Sequence, residues 1–443
     1  MNQDLTSGPI GRKLIMFSIP MILGNLFQQV YNIADTLIVG KVLGTEALAA
    51  VGAAYAFMTF LTSIIIGLCM GCGALFSMYY GGKKMKRLKQ SIAMSFAVIA
   101  VIMAVLTSAS VCWLDQIIRL LQVPGEIRGI LRDYLSVILF GMLFTFLYNY
   151  FAFLLRAIGN SVVPLISLAA ASVCNIVLDL LFVIGFQWGP KGAAFATVIA
   201  QGISAAGVLL YTLVREEQLR ISRTDFCTDW GLLKEIGQYS VFTCIQQSVM
   251  NFGILMVQGL VNQFGTAVMA AFAAAVKIDS FAYMPAQEFG NAYSIFISQN
   301  YGAGERKRIQ KGTKTALKIS MTFCAVISVL VWILAKPFMW IFIDPSETEI
   351  VKIGVEYLRI EGAFYCGIGC LFLLYGLYRA IAKPFMSVVL TVISLGTRVG
   401  LAYALAPITW IGVWGIWWAI PIGWGLADAV GILYYRNMRK KME

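Results

Sequence analysis

Two polar residues stand four positions apart inside a long apolar stretch of this sequence. Asn175 and Asp179 belong to the run Val162–Phe186, which is long enough to cross a bilayer. In a helix, this spacing places both side chains on one face, one turn apart. A charge at the centre of a membrane helix costs roughly 2.5–3.5 kcal/mol on insertion scales, so such an acid faces a wet cavity or a polar partner. We favour a functional site over the alternative, a hydrogen bond that only joins two helices.

Two further oxygen-bearing groups are predicted to lie at a similar depth. If the first span enters from the cytoplasm, Asp35 lies near its outer end and Asn175 and Asp179 lie in the outer half of the fifth span. Thr197 then lies a turn or two below the outer surface in the sixth span. Two carboxylates, an amide and a hydroxyl suit Na⁺ coordination, or a proton shared between two acids. The alternative is a hydrogen-bonded knot that only joins the helices. We call these four residues the acid cluster.

A proline precedes the first acid within the same span. Pro20 lies fifteen residues before Asp35. A proline inside a helix removes a backbone hydrogen bond and kinks the helix. Pro20 is therefore a candidate hinge that responds to the charge of Asp35, and a static kink is the alternative.

The composition defines the class of protein that must position these groups. Of the 443 residues, 59% are hydrophobic and 13% are charged, whereas a soluble domain averages about 25% charged residues. The chain is therefore predicted to be an integral membrane protein. Its net charge of +12 is explained by basic loops at the membrane surface rather than by nucleic-acid binding.

The residue inventory also argues against several activities. The chain has no histidine, so its serines and cysteines lack the usual general base. No nucleotide-binding motif is visible, which argues against an enzyme and against ATP as the driving force. The nine cysteines mostly lie in apolar runs and are interpreted as packing residues. No cofactor is expected.

Bilayer-length apolar runs need about 20 residues each, and the sequence contains twelve. They are Leu14–Val39, Ala47–Met78, Ser91–Trp113, Tyr134–Leu155, Val162–Phe186, Gly192–Val214, Ile236–Val261, Val268–Gln299, Ala316–Ile343, Val355–Tyr378, Phe385–Ala406 and Ile411–Tyr435. Lys and Arg cluster in alternate loops, most densely at 83–89, 306–318 and 436–441. Since basic loops stay inside, both termini are predicted to be cytoplasmic.

The sequence repeats itself at a nearly constant offset. Tyr80-Gly81 matches Tyr301-Gly302 at an offset of 221, and Arg156-Ala157-Ile158 matches Arg379-Ala380-Ile381 at 223. Each half holds six spans, so both halves have the same orientation, as in parallel repeats. We predict an all-α membrane protein whose twelve helices form two six-helix lobes around a central cleft. The predicted boundaries are 1–214 for the N-lobe, 215–235 for a cytoplasmic linker and 236–443 for the C-lobe.

The second half does not repeat the acids of the first. At an offset of 223, Asn175 corresponds to Arg398 and Asp179 to Ala402, which assigns the ion site to the N-lobe. The C-lobe has other in-span polar residues that are candidates to line the cleft or contact substrate: Gln246, Gln247, Asn251, Glu288 and Arg398. Arg398 is expected to form a structural ion pair with Glu361 or Asp279, and contact with an anion or substrate is the alternative.

Several of these segments resemble one transporter family. Arg156-Ala157-Ile158-Gly159-Asn160, the stretch Asn175–Asp179, and Gly192-Ala193-Ala194 before Thr197 resemble the multidrug and toxic compound extrusion family. Pro20 ahead of Asp35 and the segment Gln299–Ala303 fit as well. The resemblance covers nearly the whole chain and is closest to the bacterial branch of DinF-like and MepA-like exporters.

The resemblance implies a secondary antiporter of the bacterial plasma membrane. Such a protein exports amphiphilic organic cations in exchange for H⁺ or Na⁺, by alternating access. The family's N-lobe ion site carries over onto Asp35, Asn175, Asp179 and Thr197. The expected partners are small organic substrates and the lipid bilayer, and the chain is expected to be a monomer. A flippase for a lipid-linked or amphiphilic metabolite, on the same wider fold, is the alternative.

Overall fold

A computed structural model describes residues 3–120, 123–222, 225–226 and 229–442, and these residues are almost entirely helical. No strand occurs within these ranges. The described part of the chain contains fifteen α-helices: α1 Ile10–Ile38, α2 Gly44–Gly81, α3 Met85–Cys112, α4 Leu114–Leu120, α5 Arg128–Ile138, α6 Gly141–Ala157, α7 Val162–Asp179, α8 Gly189–Arg215, α9 Trp230–Val261, α10 Thr266–Gly302, α11 Arg306–Met339, α12 Thr348–Gly362, α13 Tyr365–Ala380, α14 Pro384–Leu405 and α15 Val413–Met442.

The helices confirm a multi-span membrane protein. Nine helical runs in the described residues are long and apolar enough to cross a bilayer, and two bent pairs, α5–α6 at 44° and α12–α13 at 52°, pass the same test together. One of the nine runs, Ile10–Gly81, has 72 residues and contains both α1 and α2. At 1.5 Å per residue it is on the order of 100 Å long, enough for two crossings. Counting it twice would give the predicted twelve spans, a number that stays a prediction.

The two bends fall in corresponding places of the internal repeat. They lie within the predicted fourth and tenth spans, near residues 139–140 and 363–364. Hydropathy detects an apolar run but not a change of helix direction within it, so each of these spans was expected to be one helix. The matching bends show that the two halves share this local distortion as well as their sequence motifs.

The chain divides into two compact units. The first contains Ile19–Cys244 with the residues up to Asp4, and the second contains Leu5–Ser18 with the residues from Ile245 onward. Helix α1 changes unit beside Pro20, through which it continues as one helix, and α9 changes unit beside Gln246. The division of the chain at 214 and 236 stays a prediction. Part of the predicted linker 215–235 lies outside the described residues.

In the first unit, α2 and the first half of α9 pack closely through glycines. A Cβ added at Gly67 would lie 2.9 Å from the backbone nitrogen of Cys244, and one added at Gly71 would lie 2.7 Å from the Cα of Ser240. Small residues four apart let two membrane helices approach until their backbones touch. These glycines therefore set the distance between α2 and α9.

In the second unit, the N-terminal segment Leu5–Gly8 is bound to α10 and α11. The backbone nitrogen of Leu5 donates to Gln299 Oε1 at 3.3 Å, and Asn300 Nδ2 donates to the Leu5 carbonyl at 3.2 Å. The Arg308 guanidinium donates to the carbonyls of Leu5, Ser7 and Gly8 at 2.7–3.2 Å. Motif residues of the Gln299–Ala303 segment thus hold the start of the chain.

Candidate functional site

Three helices of the first unit carry the acid cluster. Asp35 lies in the last turn of α1, Asp179 is the last residue of α7, and Thr197 lies in the third turn of α8. The chain reverses between α7 and α8 within a few residues. Gln187 and Gly189 adopt φ values of +56° and +61° there, in the left-handed region that suits tight turns. This reversal lays the end of α7 against the start of α8.

The structure brings the four predicted residues together. Asn175 Nδ2 donates to Thr197 Oγ1 at 3.5 Å, and Asp35 and Asp179 lie within range of electrostatic interaction. Asp179 and Asn175 are 0% and 1% exposed, and Asp35 is half-buried. The four residues, which were predicted to share one depth, therefore lie at one location. Their role stays a prediction.

Several oxygens of this group lack protein partners. Asp35 Oδ1, Asn175 Oδ1 and both carboxylate oxygens of Asp179 are buried and have no hydrogen-bond partner among the described residues. A buried polar atom without a partner costs about 1–3 kcal/mol, and more for a charged group. Native structures rarely retain such atoms unless water, an ion or a function accounts for them. Buried oxygens that are free to accept are what a binding site for a proton or a small cation requires.

Two tyrosines belong to the same environment and were missed by sequence reasoning. Tyr31 interacts electrostatically with Asp35, and buried Tyr134 interacts with Asp35 and Asp179. Tyr31 lies four residues before Asp35, so helical spacing would have found it. Tyr134 lies on α5, and its proximity has no local signal in the sequence.

A π-helix follows each of the two acids. Val39–Leu43 begins four residues after Asp35, and Leu180–Gly185 begins directly after Asp179. The two π-helices contact each other. Short π-helical segments inside α-helices occur frequently at functional sites. Here they end the helical segments that carry both carboxylates.

The second unit has a separate buried charge cluster. Asp279 and Glu361 are each 3% exposed, and the Tyr365 hydroxyl donates to Asp279 Oδ1 at 2.6 Å. Arg398 interacts electrostatically with both acids. It forms no ion pair within 4.0 Å in the part of the chain described, and its Nε has no hydrogen-bond partner there. The expected direct ion pair is therefore wrong: Arg398 interacts with both acids only at longer range, and the Tyr365 hydroxyl supplies a direct contact to Asp279.

The other predicted cleft residues also lie in the second unit. Gln246 is 3% exposed and its Oε1 has no partner among the described residues, while Gln247 and Asn251 are half-buried. Glu288 is buried and accepts a hydrogen bond from Asn291 Nδ2 at 3.2 Å. Their contact with a substrate stays a prediction.

Two cysteines of α2 are buried in the first unit. Cys69 and Cys72 are buried, and Cys72 Sγ lies 3.1 Å from Ser240 Oγ. Within the described ranges, no three His, Cys, Asp or Glu side chains are grouped so as to hold a metal ion. Cys227 lies outside those ranges.

Many apolar spans, an internal repeat and a polar site within the bilayer define a membrane transport protein. A family model described as MatE matches residues 20–181 and 240–404, which is most of the chain. This chain therefore belongs to the MATE family of multidrug efflux transporters. Members of this family are ion-coupled transporters, not enzymes, and need no cofactor.

Two curated relatives match along almost their whole length. The probable multidrug resistance protein YpnP of Bacillus subtilis is 30% identical over 442 residues, covering 99% of this chain and 97% of the relative. The multidrug export protein MepA of Staphylococcus saprophyticus is 21% identical, covering 97% and 94%.

A solved structure shows the same fold. It is described as an outward-facing conformation of a multidrug resistance MATE family transporter of the MOP superfamily. It matches with a TM-score of 0.93 and 23% identity, covering 99% of this chain and 98% of that one.

Proposed function

We propose that this protein exports amphiphilic organic cations in exchange for H⁺ or Na⁺. The observation that carries the proposal is the set of buried, unpartnered oxygens on Asp35, Asn175 and Asp179. Carboxylates inside a bilayer are retained when they hold and release a cation. The names of the curated relatives, which refer to multidrug resistance and export, favour drug efflux over lipid flipping.

Coupling follows if the ion and the substrate weaken each other's binding. The ion enters from outside and binds Asp35 and Asp179, with Asn175 and Thr197 as neutral ligands. Helix α1 then bends near Pro20, and the substrate loses affinity. By thermodynamic linkage, bound substrate must weaken ion binding by the same factor, so one is released as the other binds.

The remaining predicted features complete the proposal. Residues 1–214 and 236–443 form two lobes that alternate access to a cleft, joined by the cytoplasmic linker 215–235. Gln246, Gln247, Asn251, Glu288 and Arg398 lie on the C-lobe side and contact substrate. The protein works as a monomer in the bacterial plasma membrane with both termini inside.

Dye efflux from proteoliposomes tests this function. Wild-type protein is driven by a Na⁺ gradient alone and then by a pH gradient alone, and at least one gradient should support efflux. Asp179→Asn keeps the size of the side chain but removes its charge, so efflux should fall to the rate of empty liposomes. Glu126→Gln, at an exposed acid of an outer loop, should retain wild-type efflux. Full ion-driven efflux by Asp179→Asn would refute the proposed coupling.

A further inference from the structure

Four lysines follow one face of α11 where this helix begins. They are Lys307, Lys311, Lys314 and Lys318, at intervals of four, three and four residues, and we call them the lysine stripe. Residues at these intervals lie one above the other on a helix. All four side chains are exposed. The stripe is therefore a continuous basic surface about 17 Å long, at 1.5 Å per residue.

The lysine stripe has no acidic partner within the described residues. Helix α11 contains no Asp or Glu, and none of the ion pairs in the described part of the chain includes these lysines. Like charges one turn apart on a helix destabilise each other. An anion bound between the lysines removes this repulsion, so the stripe favours negatively charged groups.

The same face of α11 continues into the apolar part of the helix, which is long and apolar enough to cross a bilayer. Beyond Lys318, helical intervals lead to four more exposed residues, Thr322, Ala325, Val329 and Trp332. The packed face on the opposite side of the helix carries buried small residues such as Gly312 and Ala316. Exposed apolar side chains of a membrane-spanning helix face acyl chains. Lysines aligned with them reach the headgroups of the same lipids, because a lysine buries its stem and keeps its charge at the surface.

The internal repeat shows that membrane orientation does not explain the lysine stripe. At the offset of 221, Lys311, Lys314 and Lys318 correspond to Gln90, Ala93 and Ala97. The first half is predicted to have the same orientation as the second, and it has no lysine at these three positions. The second half thus adds three charges within the helix that the positive-inside rule does not require.

We propose that the lysine stripe binds the phosphodiester headgroups of anionic phospholipids at the membrane surface where α11 begins. Lysine ammonium groups bind phosphate as point charges, with three donors each. The aligned apolar face of α11 contacts the acyl chains of the same lipids. This inference goes beyond the proposed transport function and does not depend on which ion is coupled to it.

Native mass spectrometry of the full-length protein in detergent tests the proposal, with phosphatidylglycerol or phosphatidylcholine as the titrated lipid. Both lipids carry a phosphodiester, but only phosphatidylglycerol has a net negative charge. A lysine close to an anionic membrane surface strengthens binding about fivefold, so wild type should prefer phosphatidylglycerol by at least about tenfold. The triple variant Lys311→Gln, Lys314→Gln and Lys318→Gln should lose this preference and bind phosphatidylcholine like wild type. Arginine at the same three positions should keep the preference.

A second triple variant is the matched control. Lys83→Gln, Lys84→Gln and Lys86→Gln remove the same number of exposed charges around the start of α3, and this variant should keep the wild-type preference. An equal loss in the control would show that net charge attracts the lipid, and it would overturn the inference. An unchanged preference in the stripe variant would overturn it as well.

Inorganic phosphate separates lipid binding from the binding of any free anion. Millimolar phosphate should leave phosphatidylglycerol bound, because it cannot replace the contacts of the acyl chains. Complete displacement by phosphate would overturn the inference. None of these outcomes involves dye efflux, so the proposed function is tested separately.

Discussion

Gly71 of α2 should tolerate no side chain, because the backbone of α9 occupies the space. In Gly71→Ala the new Cβ would lie 2.6 Å from the carbonyl carbon of Tyr239 and 2.7 Å from the Cα of Ser240. Carbon atoms pack best at about 3.5–4.0 Å, so the two helices must separate by about 1 Å. Overpacking of this kind costs about 1–3 kcal/mol.

A glycine on the same helix separates this steric effect from helix propensity. Alanine is favoured over glycine inside a helix by about 1 kcal/mol, and a Cβ added at Gly52 would meet nothing within 4 Å. Gly52→Ala should therefore be as stable as wild type or more so. Gly71→Ala should lose monodisperse protein at a lower temperature, as measured by fluorescence-detected size-exclusion chromatography after heating. Equal melting temperatures for the two variants would refute the close approach of α2 and α9.

Two further predictions concern the second unit. Tyr365→Phe removes the hydroxyl that donates to buried Asp279, and it should destabilise the protein by about 1–3 kcal/mol in thermal melts. The control Tyr403→Phe changes a ring that is 45% exposed and should melt like wild type. Equal melting temperatures for the two variants would contradict this role of the Tyr365 hydroxyl. Arg308→Ala should speed amide hydrogen exchange across the N-terminal segment Leu5–Gly8, since the guanidinium binds three carbonyls of that segment. The control Arg306→Ala changes an exposed side chain and should leave the exchange rates unchanged. Slow exchange in Arg308→Ala would show that other contacts hold the segment.

The sequence predicted the acid cluster because the order and direction of the spans give the depth of each residue in the membrane. Three separately recognisable spans carry Asp35, the pair Asn175 and Asp179, and Thr197, and the direction of each span follows from alternation. Depth alone does not give lateral proximity, which depends on which helices pack together. That is why Tyr134, on a neighbouring helix with no spacing relation to either acid, was not predicted.

The second unit shows the same limit more strongly. From charge alone, Arg398 was expected to pair with Asp279 or Glu361, and all three residues do lie in one region of the structure. The direct contact to Asp279 comes instead from Tyr365, one of many tyrosines in apolar runs. Sequence identified the charged residues, but orientation within the bundle decided which atoms meet.

Helix geometry was predictable only where composition changes. Apolar runs predicted the spans, whereas the bends of 44° and 52° and the π-helix Leu180–Gly185 lie inside such runs. The π-helix Val39–Leu43 lies where the first run ends, and nothing in its composition distinguishes it from an ordinary loop. The passage of α1 and α9 from one compact unit to the other has no compositional signal either, because it depends on packing. The repeat would have predicted that any distortion found in span four should recur in span ten.

Equilibrium dye binding to the purified protein tests the central claim most directly, namely that Asp35 and Asp179 hold and release the coupling ion. Fluorescence anisotropy is followed while Na⁺ and pH are titrated separately. In wild type, the coupling ion should weaken dye binding, and in Asp35→Asn and Asp179→Asn dye binding should no longer respond to that ion. An unchanged response in both variants would contradict the account.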